Sequence, residues 1–220
     1  MWTPRSCPHG HRECSHGELE QWSTVPNAIT ALRTVVAVGL GLAAAVDQDL
    51  TLLLWATGVY WVGDTADGAV ARLLGRENRI GAVFDIVCDR VCAAVVYMGV
   101  VWLLPHMVLP VAVYLLSFSV VDLMLSLAFL AYPLSSPNYF YLADAPIYRW
   151  NWSKPAKAAN SAIFLVLLLL TESVVLTTAI AGVLLVAKLL SLRRLSRLPP
   201  APDTDCAHEL SRSPAGPETR

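Results

Sequence analysis

Four aspartates dominate the chemistry this sequence can support. Asp64 and Asp67 are three residues apart, Asp85 and Asp89 four apart, and both pairs sit in strongly apolar surroundings. Those spacings put each pair on one face of a helix. An acid inside a membrane span costs about 2.5–3.5 kcal/mol on the insertion scale, so four ionised acids cost on the order of 10 kcal/mol unless something pairs them. Asp64 stands 14 residues after Leu50, where its apolar run begins, and Asp89 stands 15 residues before Leu104, where the next run ends. With 1.5 Å of rise per residue, two antiparallel helices bring all four carboxylates to one level, ~20 Å from that side. Divalent cations relieve the resulting repulsion, and hard oxygen ligands suit Mg²⁺ or Mn²⁺. Two such ions held by shared carboxylates form a clamp for phosphoryl oxygens. Gly68 and Gly81 lie one turn from Asp64 and Asp85 and leave space for a phosphate or a ligand backbone, while Arg72 adds a fixed cation. Two other readings compete. One is helix packing through small residues, with Arg72 and Arg90 neutralising the acids; the other is an ion or proton pathway. Packing accounts for Gly68 and Ala71 but not for four acids at matched depth.

The elements that must carry these residues are membrane helices. Apolar residues make up 55% of the 220-residue chain and charged residues only 15%, against roughly 25% charged in average soluble chains. Six apolar segments can be drawn, at 28–46, 50–71, 80–104, 107–131, 156–171 and 174–192. Each approaches the ~20 residues needed to cross the hydrocarbon core; the fifth is short, and Trp150 and Trp152 extend it by a turn. No strand alternation is present. The expectation is an all-α, multi-pass integral membrane protein of six transmembrane helices. None of the 16 Lys and Arg falls in the short segments 47–49, 105–106 or 172–173; the basic residues, Arg33 among them, are assigned to the other side. By the positive-inside rule both termini are cytoplasmic, and the acids lie toward the cytoplasmic interface.

The string Asp64-x-x-Asp67-Gly68-x-x-Ala71-Arg72, eight residues, Gly81-x-x-x-Asp85-x-x-x-Asp89 resembles the signature of the CDP-alcohol phosphatidyltransferases, at every signature position and across the gap. The resemblance covers about 28–192 and implies six membrane helices, a homodimer, and one reaction. A CDP-linked lipid, CDP-diacylglycerol in most members, is attacked by the hydroxyl of a small alcohol, and CMP leaves. It further implies two Mg²⁺ or Mn²⁺ ions held by Asp64, Asp67, Asp85 and Asp89, with Asp89 also the general base. Gly68, Ala71, Arg72 and Gly81 would contact the CDP-lipid. So would Asn78, where the family more often has Ser or Thr. Pro26-Asn27-Ala28-Ile29-Thr30 is similar to the family's Pro-Asn-x-x-Thr opening, so Asn27 and Thr30 join that set; the structural alternative for both is a helix cap.

The acceptor is read from weaker signals. Arg149, Lys154 and Lys157 form a further basic cluster that could bind an acceptor phosphate, or could simply follow the positive-inside rule with snorkelling. Asp122, an acid within the fourth span, is a second acceptor candidate. The stretches 146–155 and 81–90 are similar to the eukaryotic-type phosphatidylinositol synthases of the family, while the basic pairs of its bacterial inositol-phosphate-using members are missing; 153–160 is similar to a degraded form of the segment found in glycerol 3-phosphate-using members, whose Arg-Glu-Tyr is also missing. An inositol-type acceptor is preferred, with glycerol 3-phosphate the alternative.

The chain divides into a tail at 1–26, a six-helix domain at 27–192 and a tail at 193–220. Residues 1–25 lack the apolar core of a signal peptide, and 17–22 could form an interfacial helix. Cys7–His16 holds two Cys and three His that could bind Zn²⁺. Six residues separate its cysteines and ten residues make a cramped loop, so an unstructured tail is expected. The Pro-, Ser- and charge-rich end from Pro199 reads as disordered. No P-loop and no nucleic-acid-binding motif is present.

Overall fold

The computed structural model describes residues 7–16, 21–199 and 206–210. Its main elements are helices: α1 (Val25–Asp47), α2 (Leu50–Leu73), α3 (Arg79–Leu103), α4 (Pro105–Ala131), α5 (Ala145–Thr171), α6 (Val174–Leu195) and the short α7 (Ala207–Leu210). Five of them, α1, α3, α4, α5 and α6, are long and apolar enough to cross a membrane. α2 has 24 residues, but the acids at its far end dilute its apolar character. The chain is an integral membrane protein by this pattern, and its surface agrees. α1 exposes Leu32, Val35 and Val46 while burying Thr30 and Arg33, and α6 buries Lys188. That polarity is the reverse of a soluble helix and suits a lipid exterior.

Local signals set the helix ends. Thr24 caps α1, its hydroxyl accepting from the Asn27 N–H with Pro26 in the first turn; Asn27 and Thr30 are therefore not the cap. Asp49 caps α2, accepting from Thr51 N at 2.6 Å, and Ser173 caps α6. Only Gln48–Asp49 and Glu172–Ser173 intervene at these two reversals, with Gln48 and Glu172 at positive φ. α2 ends in a Schellman motif: Arg76 N bonds Ala71 O at 2.9 Å and Gly75 N bonds Arg72 O at 3.3 Å. Gly75 has φ +60°, which a Cβ would disfavour. Asn78 then caps α3, its Oδ1 accepting from Gly81 N at 2.6 Å.

α1 packs along both α2 and α3, through a face of Arg33, Ala37, Gly41 and Ala44. Small residues there let the backbones approach closely. α4 packs on α6. Tyr97, Tyr114 and Phe164 join α3, α4 and α5, the last two stacked at 4.5 Å. Two helices are irregular. α4 contains a π turn at Ser117–Val121 and α5 another at Ala159–Ile163. α5 also breaks at Trp152 and restarts at Lys154 behind a Ser153 cap, so Trp150 and Trp152 lie in its first segment, ahead of the break.

The tails differ from their expected form. Cys7–His16 is folded against the 133–135 segment: Ser15 N bonds Pro133 O at 3.2 Å and Ser135 N bonds Glu13 O at 2.9 Å, flanking an isolated bridge between Cys14 and Leu134. Cys206–Leu210, expected to be disordered, packs there too, with Cys206 and Ala207 buried among Cys14, Leu134 and Phe140. Of the interfacial helix expected at 17–22, residues 17–20 lie outside those described.

Candidate active site

The four aspartates meet at one point, and that point holds Arg33. Its Nη2 lies 2.5 Å from Asp85, 2.9 Å from Asp89 and 3.4 Å from Asp64, and its Nε donates to Asp67 at 2.7 Å. α2 supplies one acid pair, α3 the other, and α1 the guanidinium. Gly63 makes the approach possible, because a Cβ there would fall 2.6 Å from Arg33 Cβ and Cδ. Asp67 is the deepest acid, at 4% side-chain exposure, and also accepts from the Thr30 hydroxyl at 2.7 Å. Asp64 and Asp85 are open, at 43% and 38%. The matched depth inferred from residue counting is met. Arg33, assigned by sequence to the topogenic cations, is instead 3% exposed and is the hub of the cluster. Its signal was present: Asn27, Thr30 and Arg33 recur every three residues, on one face of α1.

Beside the cluster opens a cavity of about 240 Å³. Asp64, Asp67, Asp85 and Asp89 line it, as do Gly68, Ala71, Arg72, Asn78, Gly81, Asn27 and Thr30. Several of these also have structural duties. Asn78 caps α3 and donates to Gln21 O at 3.3 Å. Asn27 donates to Trp22 O at 2.9 Å, and a Cβ on Gly81 would meet Asn27 Oδ1 at 2.9 Å. Glu77, at the rim, accepts from the Tyr139 hydroxyl at 2.7 Å, and burial raises its carboxyl above the usual range.

The facing wall is built differently. Asp122 is buried and held by Lys188, by Arg90 Nη2 at 2.5 Å and by Ser126 at 3.4 Å. Arg90 also stacks on Phe118, 3.8 Å from the ring centroid. Its direct ion pair is with Asp122 rather than with the four acids. Both π turns deliver residues here: Phe118 from one, Asn160 and Ser161 from the other. A π turn disturbs the regular hydrogen-bond ladder, and the Tyr114 hydroxyl donates to the Asn160 carbonyl at 2.6 Å. Of the three expected acceptor cations only Lys157 lines the cavity, donating to Asn138 at 2.7 Å. Arg149 and Lys154 are exposed and lie off it. Reading by cluster density favoured them over Arg90 and Lys188, which hydropathy hides inside spans.

Carboxylate oxygens of Asp64, Asp67 and Asp85 lie within 4.8 Å of one another. This all-oxygen set fits a hard divalent ion. Four carboxylates share a single guanidinium, so the cluster keeps excess negative charge. Arg33 Nη2 takes the central position now, and an ion held by Asp64 and Asp85 would displace it from those oxygens.

The phosphatidylinositol phosphate synthase of Mycobacteroides abscessus is 43% identical over 70 residues, 28% of this chain and 32% of that protein. That of Corynebacterium glutamicum is 30% identical over 81 residues, 37% of each chain, and that of Mycolicibacterium smegmatis is 41% identical over 70 residues, 28% and 32%. The matched stretches thus span about a third of each relative's length. No solved structure matches the chain. The sequence model of the CDP-alcohol phosphatidyltransferase family matches residues 23–191, and with the four-acid cluster at its centre the chain belongs to that family.

Proposed function

We propose that the protein transfers a phosphatidyl group from CDP-diacylglycerol to a hydroxyl of a small inositol-type alcohol, releasing CMP, as a step of phospholipid biosynthesis. The observation that carries this reading is the convergence of Asp64, Asp67, Asp85 and Asp89 on one cation position at the wall of a polar cavity. The family match supports the reaction class, and the name shared by the three relatives supports the inositol-type acceptor.

Asp64, Asp67, Asp85 and Asp89 would hold Mg²⁺ or Mn²⁺, as two ions. When bound, these stabilise charge on the pyrophosphate and acidify the acceptor hydroxyl. The remaining work falls to the chain's own residues. Arg72, with Gly68 and Ala71 on the same face of α2, holds the nucleotide end of the donor; Asn78, Gly81, Asn27 and Thr30 border the same space. Asp89 takes the proton from the acceptor hydroxyl. The freed oxygen forms a bond to the lipid-bearing phosphorus, and the bond from that phosphorus to the bridging oxygen breaks, so CMP leaves with the electron pair. Asp89 is 21% exposed, open enough to meet a substrate yet screened from bulk water. Arg33 is a positioning residue that keeps the four acids together before substrate arrives. Lys157, Arg90, Lys188 and Asp122 border the acceptor.

The same reading includes α2 as a sixth span, cytoplasmic termini and a site facing the cytoplasm. Its support is the cations at the site end of the helices and in the loops there: Arg72, Arg76, Arg79, Lys154, Lys157 and Arg197. Arg33, Arg90 and Lys188 lie inside the bundle and do not contribute to that argument. The homodimer rests on the resemblance alone; among the described residues one chain supplies every group of the site. The test is to offer inositol, inositol phosphate, glycerol 3-phosphate and serine separately with CDP-diacylglycerol and identify each lipid product by mass. An inositol-containing lipid is expected; a product only with glycerol 3-phosphate would overturn the acceptor.

A further inference from the structure

A second set of metal-ligand side chains lies outside the reaction centre. Cys7, His11 and Cys14 come from one end of the chain and Cys206 from the other, and one ligand atom of each lies within 4.8 Å of the rest. Two consecutive turns gather the first three: Gly10 N bonds Cys7 O at 3.3 Å, with Gly10 at φ +66°, and Cys14 N bonds His11 O at 3.2 Å. His11 Nδ1 is 3.8 Å from Cys7 Sγ and 3.4 Å from Cys206 Sγ. Around a tetrahedral zinc with Zn–S near 2.3 Å and Zn–N near 2.0 Å, sulfur and nitrogen ligands stand roughly 3.6 Å apart. The two observed separations bracket that value. All five cysteines are thiols here, and Cys7, Cys14 and Cys206 are 6%, 1% and 2% exposed.

We propose that Cys7, His11, Cys14 and Cys206 form a structural zinc site that ties the two ends of the chain together. Three thiolates and one imidazole are a soft donor set, which selects zinc over Mg²⁺ or Ca²⁺. A disulfide would use two of the three sulfurs and leave the third buried beside it. The ten-residue segment Cys7–His16 has almost no aliphatic side chains, so burial alone gives it little reason to fold. A metal supplies the missing free energy. The surroundings support the ligands. The Ala207 N–H donates to Cys14 Sγ at 3.3 Å and fixes where that sulfur points. His16 Nε2 lies 2.9 Å from His11 O and steadies the turn.

The site also braces the reaction cavity. The bridge from Glu13–Ser15 to 133–135 fixes a segment whose next residues, Ser136, Pro137 and Asn138, line that cavity. Arg79, at the start of α3, donates to Leu134 O at 2.9 Å and Tyr132 O at 2.6 Å. Releasing the metal would loosen one cavity wall without touching the aspartates.

The full chain, carrying an affinity tag without histidines, is purified in detergent with Mg²⁺ present and no added zinc, and its metal content is measured. About one zinc per chain is expected. Cys14→Ser and Cys206→Ser should each lower that content by roughly tenfold or more, while Cys92→Ala, outside the cluster, keeps it. Wild-type protein reconstituted with Co²⁺ should show sulfur-to-cobalt charge transfer and tetrahedral d–d absorption. The carboxylate cluster cannot produce these, and the measurement does not depend on any variant folding. Zinc-free wild-type protein with no cobalt–thiolate absorption would overturn the proposal, as would full zinc retention in Cys206→Ser.

Discussion

The two walls of the cavity balance charge in opposite ways. On one wall four carboxylates from α2 and α3 share one guanidinium, Arg33 of α1; on the facing wall one carboxylate, Asp122 of α4, is shared by Arg90 of α3 and Lys188 of α6. The first wall keeps excess negative charge and attracts cations; the second keeps excess positive charge and attracts anions. Each is held in shape by its own counter-ion, so neither has to collapse before a ligand arrives. Under the proposed function, the contrast would separate two duties: gathering metal and pyrophosphate on one side, and admitting a polar acceptor on the other.

The largest effect should come from the acidic wall. Asp89→Asn removes the proposed base, and a general base contributes about 10²–10⁴-fold. kcat should fall by that order with CDP-lipid binding largely retained; near wild-type turnover would reassign the base. Next is the hub. Arg33→Ala leaves the buried Asp67 without its cation, and breaking a buried pair costs about 3–5 kcal/mol. Thermal unfolding in detergent should show the loss, and excess Mg²⁺ should restore part of it. An unchanged midpoint would mean that Arg33 is not what holds the acids together.

The basic wall should respond more modestly and in a different parameter. Lys188→Ala leaves Asp122 paired with Arg90, so the fold should survive. A lost charge-assisted hydrogen bond of about 1.5–3 kcal/mol corresponds to a rise of about 10- to 150-fold in acceptor KM. If CDP-lipid affinity falls instead, the two walls do not divide the substrates as argued. The smallest effect belongs to Arg149→Ala and Lys154→Ala, both exposed and off the cavity. Acceptor KM should change by no more than about twofold, and a larger change would return the acceptor to that cluster.

The legibility of these regions in the sequence follows from how they are written. The acidic wall is encoded locally: Asp64, Asp67, Asp85 and Asp89 sit at helical spacings on neighbouring antiparallel helices, so residue counting alone brings them to one depth. Arg33 was hidden because a cation near a helix start looks like a topology signal until something shows which face it occupies. Arg90, Asp122 and Lys188 come from three helices, and only tertiary packing pairs them. Most helix limits were readable from the apolar runs, the start of α5 excepted, but the π turns in α4 and α5 were not, since no local residue type demands one. Cys206 is the extreme case. It is 192 residues from Cys14, and without it the Cys7–His16 segment looked like an incomplete and cramped metal loop.

One assay addresses the central claim, that the converged aspartates make this a metal-dependent phosphatidyltransferase. Purified protein in detergent is given CDP-diacylglycerol and an inositol-type acceptor, and CMP release is followed with Mg²⁺, with Mn²⁺ and with a chelator, for wild type and for Asp64→Asn. CMP should form with either ion and only when acceptor is present, and should be abolished by chelator or by the substitution. CMP release at the full rate in chelator, or undiminished in Asp64→Asn, would contradict the account.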